Sequence, residues 1–132
     1  MWDHDIGAVP VTDSDGKLVG IVTDRDVLMG AYFAGMDLGH FPVSDAMSHR
    51  LFAVGPEEPL VAAEQVMRSH QVRRVPVLQE GRLVGMISLG DLARAEAASV
   101  GTATSMDAFA AIVRDIVRPR MHIGTLAHVA QQ

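Results

Sequence analysis

Apolar and polar positions fall into the same short pattern twice along the chain. Residues 8–12 read AVPVT and residues 18–23 read LVGIVT, separated by DSDGK. Residues 74–78 read RVPVL and residues 83–88 read LVGMIS, separated by QEGR. β-Branched runs on either side of an acidic, glycine-containing turn predict two antiparallel hairpins. After each hairpin a hydroxyl residue, Thr23 or Ser88, stands three positions before an aspartate, Asp26 or Asp91. That spacing predicts a helix capped by the hydroxyl, with the carboxylate at the positively polarised end. Helical spacing continues through Val27, Leu28 and Tyr32 in the first copy and through Leu92 and Ala95 in the second.

Between the copies, Leu51–Val54 predicts a strand and the GPEEP that follows a turn. Leu60–His70 predicts an amphipathic helix with Leu60, Ala63, Val66 and Met67 on one face. The second unit, residues 43–98, is therefore β-α-β-β-α, and an α+β fold follows. The first unit, residues 1–36, lacks the leading strand and helix.

A candidate for the missing piece lies at the other end of the chain. Val113-Arg-Asp115 parallels Val43-Ser-Asp45, and Leu126-Ala-His-Val129 parallels Leu60-Val-Ala-Ala63. With Gln132 joined to Met1, Leu126 to Pro10 spans sixteen positions, the same as Leu60 to Pro76. The expected organisation is one module over 1–132 in circularly permuted order. Repeat one is residues 1–36 completed by 113–132, and the small, polar residues 97–107 are a linker. Ser105 or Asp107 would cap a helix over Ala108–Val117. Asp115 to Leu126 is four residues shorter than Asp45 to Leu60, which requires a tighter strand–helix turn. The C-terminal piece could dock within its own chain, or residues 108–132 could be exchanged with a neighbour as a domain swap. The plainer alternative is that residues 108–132 form a C-terminal helical extension.

Composition narrows the function. The chain has 132 residues, 48% of them hydrophobic, enough for one domain with a core. A net charge of -5 argues against a nucleic-acid surface. No cysteine is present, which removes disulfides and thiolate metal sites. The six histidines (4, 40, 49, 70, 122 and 128) include no pair at the spacing that puts two metal ligands on one helical face. There is no secretory leader at the start and no run long enough to span a bilayer, so a cytoplasmic location without membrane contact is expected. Neither a nucleophile elbow nor a phosphate-binding loop occurs, so no catalytic residue is assigned and an enzyme is not expected.

Three features recur in both copies: Val9-Pro10-Val11 and Val75-Pro76-Val77, a glycine in the second strand, and Gly-x-x-Ser/Thr-x-x-Asp at Gly20–Asp26 and Gly85–Asp91. Two ordered copies about 65 residues apart resemble a tandem CBS domain pair, or Bateman module. The resemblance implies two repeats packed with pseudo-two-fold symmetry, with clefts between them that take adenosine-containing ligands, and pairing of modules into homodimers. It also implies that Asp26 and Asp91 hold ribose and that Thr23 and Ser88 lie near the ribose and α-phosphate. A carboxylate can accept from both vicinal hydroxyls of a ribose, yet Ser/Thr-x-x-Asp is equally a good helix cap. Arg73 and Arg74 match basic phosphate contacts of the family and Arg25 could assist, whereas the first copy has Gly7-Ala8 at the corresponding place. One charged cleft and one uncharged cleft are expected; an Arg pair beside a strand can also be a solvated edge. For adenine, the resemblance points to Ala53 and Val54 and to Met121–Ile123, with Val9, Pro10, Val75 and Pro76 beside them. Core packing is the alternative role for all of these apolar residues.

Two functions follow. One is a regulatory sensor, needing no cofactor for activity, that binds an adenine nucleotide, NAD or S-adenosylmethionine. The other is a ligand-free dimerisation module.

Overall fold

The computed structural model of the protein describes residues 1, 3, 6–98 and 103–117. Its element order is β1 (Ala8–Thr12), β2 (Leu18–Thr23), α1 (Asp24–Ala34), α2 (Val43–Ala46), α3 (Leu60–His70), β3 (Arg74–Gln79), β4 (Arg82–Ser88), α4 (Leu89–Ala98) and α5 (Ala103–Ile116). Both hairpins form as antiparallel two-stranded sheets, β1–β2 and β3–β4. Each carries a register shift at the same repeat position, after Val11 and after Val77. The turns close on Gly16 and Gly81, whose φ values of 78° and 80° lie in the left-handed region that glycine adopts without a Cβ clash.

The two hairpins meet through equivalent atoms. Leu18 N–H donates to the Gly81 carbonyl at 3.3 Å, and Leu83 N–H donates to the Gly16 carbonyl at 3.2 Å. Leu18 matches Leu83 and Gly16 matches Gly81, so this exchange is what a pseudo-two-fold axis between the repeats produces. The segment before α3 ties the repeats together a second time. Ser48 exchanges both backbone hydrogen bonds with Ile21 of β2, at 2.8 and 3.1 Å. Six residues later Val54 N–H donates to Pro76 and the Val54 carbonyl accepts from Leu78, at 3.0 and 2.9 Å. The strand expected over Leu51–Val54 is thus a single parallel bridge, Val54 to Val77. Its pairing ends there because Gly55 and Pro56 turn the chain towards α3 at once.

The helices follow this symmetry in part, through the matching pairs α1–α2 and α4–α5. Short α2, preceding the bridge at Val54, packs on α1 and β2 of repeat one, whereas α5 packs on α3 and α4 of repeat two. The last turn of α3 is fixed by Val72 N–H donating to the Met67 carbonyl at 3.1 Å, and Ile6 N–H donates to the Met1 carbonyl at the same 3.1 Å. Met1 and Ile6 align with Met67 and Val72 of the second copy, so the two hydrogen bonds join matching positions.

The main core belongs to repeat two. Val54, Ala63, Met67, Val75, Leu92, Ile112 and Ile116 form one buried cluster. Among the described residues of repeat one the buried apolar side chains are the smaller Ala8, Val22 and Ala31. Leu28, Tyr32 and Phe33 of α1 are exposed to 58%, 77% and 77%, leaving a broad apolar face open.

The expectation of a linker over residues 97–107 needs correction at both ends, while residues 99–102 lie outside the described residues. α4 continues through Ala98 and α5 begins at Ala103, five residues before the predicted start at Ala108. Alanine-rich sequence on both sides, AEAA and ATSMDAFAA, favours helix over a flexible tether. The expected repeat-one segment 113–132 is described only to Val117, so its strand and helix lie outside the described residues.

Candidate functional site

Each Ser/Thr-x-x-Asp motif forms a complete capping box. At α1, Asp26 N–H donates to the Thr23 hydroxyl at 3.1 Å, while Asp26 Oδ2 accepts from Thr23 N–H at 2.9 Å and from the hydroxyl at 2.6 Å. At α4, Asp91 N–H donates to the Ser88 hydroxyl at 3.2 Å, and Asp91 Oδ2 accepts from Ser88 N–H at 2.7 Å and its hydroxyl at 2.6 Å. The capping role expected for these residues is thus filled at both sites. It uses one oxygen of each carboxylate.

The second oxygen separates the two copies. Asp26 Oδ1 accepts no hydrogen bond among the described residues, whereas Asp91 Oδ1 is held by the Arg94 guanidinium. The Ser88 hydroxyl and backbone N–H, with Arg94 in addition, hold the Asp91 carboxyl below the usual aspartate range against the opposing effect of burial. At the position of Arg94, repeat one has Met29.

The basic residues are also unequal. Arg73 and Arg25 are exposed. The Arg73 carbonyl accepts from Leu89 N–H at 2.9 Å, which fixes the backbone but leaves the guanidinium in solvent. Arg74 is half-buried and reaches across to repeat one. A Cβ added at Gly7 would stand 3.9 Å from Arg74 Nη2 and 4.0 Å from Asp24 Oδ2. The absence of a side chain at Gly7 therefore leaves room for the guanidinium of one repeat to approach the helix N-terminus of the other. Asp24 was not singled out from the sequence, although an acidic first-turn residue beside Thr23 was a visible signal.

The residues expected around adenine divide by exposure. Val9, Pro10 and Ala53 are half-buried. Val54 is 5% exposed, and Val75 and Pro76 are fully buried, so their side chains face the interior. Val75 lies in the Met67 cluster and the Pro76 carbonyl is paired with Val54, so the core-packing role named as the alternative is present for these residues. Ile123 lies outside the described residues.

Two described cavities lie away from these motifs. One, of about 530 Å³, is lined by Gln65, Arg68, Ser69, Gln71 and Asp115 between α3 and α5. The other, of about 380 Å³, is lined by Ser48, Arg50, Phe52, Ser69, His70, Gln71 and Val72. In it the Phe52 and His70 rings are stacked at 3.5 Å, and the Arg50 guanidinium carbon lies 5.6 Å from the Phe52 ring centre. Among the described residues no group of three His, Asp or Glu could hold a metal ion.

The family profile for the CBS domain matches residues 2–31 and 43–98, more than half of the chain. The chain belongs to the CBS domain family. It is 43% identical to the CBS domain-containing protein YhcV of Bacillus subtilis over 93 residues, 70% of this chain and 65% of YhcV. It is 38% identical to hypoxic response protein 1 of Mycobacterium tuberculosis over 94 residues, 71% of this chain and 66% of that protein. This CBS chain thus spans about two thirds of the length of these curated relatives. The crystal structure of hypoxic response protein I, with two coordinated zinc ions, superposes with a TM-score of 0.64 over 71% of this chain and 76% of that one. CBSX2 in complex with AMP superposes with a TM-score of 0.63 at 25% identity, over 74% of this chain and 76% of that one. The α+β architecture with two small antiparallel sheets is therefore that of solved CBS-domain structures. No helix among the described residues is long and apolar enough to cross a membrane.

Proposed function

We propose that this CBS pair is a non-catalytic cytoplasmic sensor that binds an adenosine-containing ligand at the seam between its repeats. The observation that carries this reading is Asp26 Oδ1 at the α1 N-terminus, without a partner among the described residues, with Arg74 of the other repeat reaching towards the same end. The carboxylate accepts a ribose hydroxyl, Thr23 stands beside it, and Arg74 with Arg25 and Arg73 supplies cations for a phosphate. Val9, Pro10 and Ala53 offer apolar surface to the base, over a floor of Val54, Val75 and Pro76, with Ile123 as a further contact. The AMP complex of CBSX2 supports this ligand class. Binding at the seam biases the packing of one repeat on the other and passes that shift to a partner.

The test is titration of the purified protein with AMP, ADP, ATP, NAD and S-adenosylmethionine. Heat of binding and a raised Tm with at least one of them are expected; neither with any of the five would reject the sensor. In that case the second reading, a ligand-free homodimerising module, stands on the capping boxes and on the open face of Leu28, Tyr32 and Phe33. Homodimer formation through this apolar face belongs to both readings.

The chain order also enters the proposal. We read residues 113–132 as the lead-in of repeat one, in permuted order. Two facts support this reading: α5 packs on repeat two as α2 packs on repeat one, and the Met1–Ile6 hydrogen bond repeats that of Met67 and Val72. Deleting residues 118–132 is then expected to cost at least about 1 kcal/mol of stability, a fall of several degrees in Tm. An unchanged Tm would make them an extension outside the module.

A further inference from the structure

The repeats share a motif, but their two carboxylates are not in the same state. A carboxylate oxygen without a partner grips a ribose diol more readily than one already engaged by a cation. Among the described residues Asp26 has one without a partner, because its cap uses only Oδ2. Asp91 has none, because Ser88 takes Oδ2 and Arg94 takes Oδ1. The local sequence explains the difference. Arg94 lies one helical turn after Asp91 and folds back across Gly90, where an added Cβ would stand 3.5 Å from Arg94 Nη1 and 3.6 Å from the Ser88 hydroxyl. Repeat one has Arg25 in place of Gly90 and Met29 in place of Arg94, so it has no such cation to turn onto Asp26. The cross-repeat cations are unequal as well. Arg74 reaches towards Gly7 of repeat one, beside Asp24, whereas its counterpart in repeat one is Ala8.

We infer that Arg94 is an intramolecular latch on the repeat-two site, so that an adenosyl ligand fills the Asp26 site first and must displace Arg94 to fill the Asp91 site. This rests on the sensor reading and adds the order of filling and the residue that sets it. The latch is weak by construction. Arg94 and Asp91 are 75% and 45% exposed, and an exposed pair of this kind is worth only a fraction of a kcal/mol to about 1 kcal/mol. It delays the second site without closing it.

The variant Arg94→Met copies Met29 and leaves the Ser88–Asp91 cap in place. Titrated with AMP by calorimetry, the parent is expected to bind in two unequal steps. Arg94→Met is expected to tighten the weaker step about two- to fivefold and to leave the stronger step unchanged. Raised salt should narrow the gap between the parent and the variant. An unchanged weaker step, or a change confined to the stronger one, overturns the latch while leaving the sensor intact. Silence from both proteins with AMP and with the other four ligands removes the sensor reading and the latch together. Circular dichroism melts of the two proteins separate a lost latch from a damaged α4.

Discussion

Met67→Ala is expected to lower the free energy of unfolding by about 2–5 kcal/mol, the range for a large core side chain cut to alanine. Met67 is 0% exposed and sits at the centre of the cluster of Val54, Ala63, Val75, Leu92, Ile112 and Ile116. That cluster takes residues from α3, β3, α4, α5 and the bridge at Val54, so the cavity would open where several elements converge. None of them can close it alone, because Val54 is pinned to β3 by two backbone hydrogen bonds and Arg68 pins α3 to α5 through Asp115 at 2.7 Å. Leu60→Ala on the same helix is the control, since Leu60 is 42% exposed and its truncation should cost about 0.5 kcal/mol or less. Urea unfolding monitored by circular dichroism gives both values. A loss below about 1 kcal/mol for Met67→Ala would mean that the cluster does not hold repeat two together.

The doubling of the pattern made the hairpins legible. Val-Pro-Val, an acidic glycine turn and a second apolar run leave few other local structures, and each hairpin carries its register shift at the same place. The helix Leu60–His70 was equally plain, because its apolar positions recur at helical spacing and the structure buries Ala63 and Met67 from that face. Leu51–Val54 reads as a strand from composition alone, but pairing depends on an edge, and only Val54 reaches one. Residues 97–107 look like a tether because they are small and polar, yet alanine sets their local preference and helix extends into them from both sides. The site was legible as a list of residue types and much less as a set of states. Nothing local distinguishes Asp26 from Asp91 until Gly90 and Arg94 are seen together. A glycine at the second position of a helix is what lets a side chain a turn later lie across its N-terminus. Likewise, Arg74 is paired in the β3–β4 sheet of repeat two while its guanidinium lies near Gly7 of repeat one, an approach that depends on how the repeats pack.

Asp26→Ala should separate capping from binding more sharply than any other substitution. A hydrogen bond from a ribose hydroxyl to an ionised carboxylate is worth about 1.5–3 kcal/mol, so its loss should weaken AMP by roughly 10- to 150-fold. The same substitution removes the reciprocal half of the α1 capping box and should cost about 0.5–2 kcal/mol of stability. A fall in Tm by itself therefore decides nothing. Asp26→Asn resolves the ambiguity, because an amide oxygen can still accept from Thr23 N–H while the negative charge is gone. If Asp26 grips ribose, Asp26→Asn should retain most of the stability and lose most of the affinity. If Asp26 only caps α1, Asp26→Ala should melt earlier and still bind AMP as the parent does, once both are compared well below the melting range. The contrast with Asp91→Ala extends the test to the other repeat. Its carboxylate already spends both oxygens on Ser88 and Arg94, so its removal should cost the helix a cap and leave the first ligand equivalent nearly untouched.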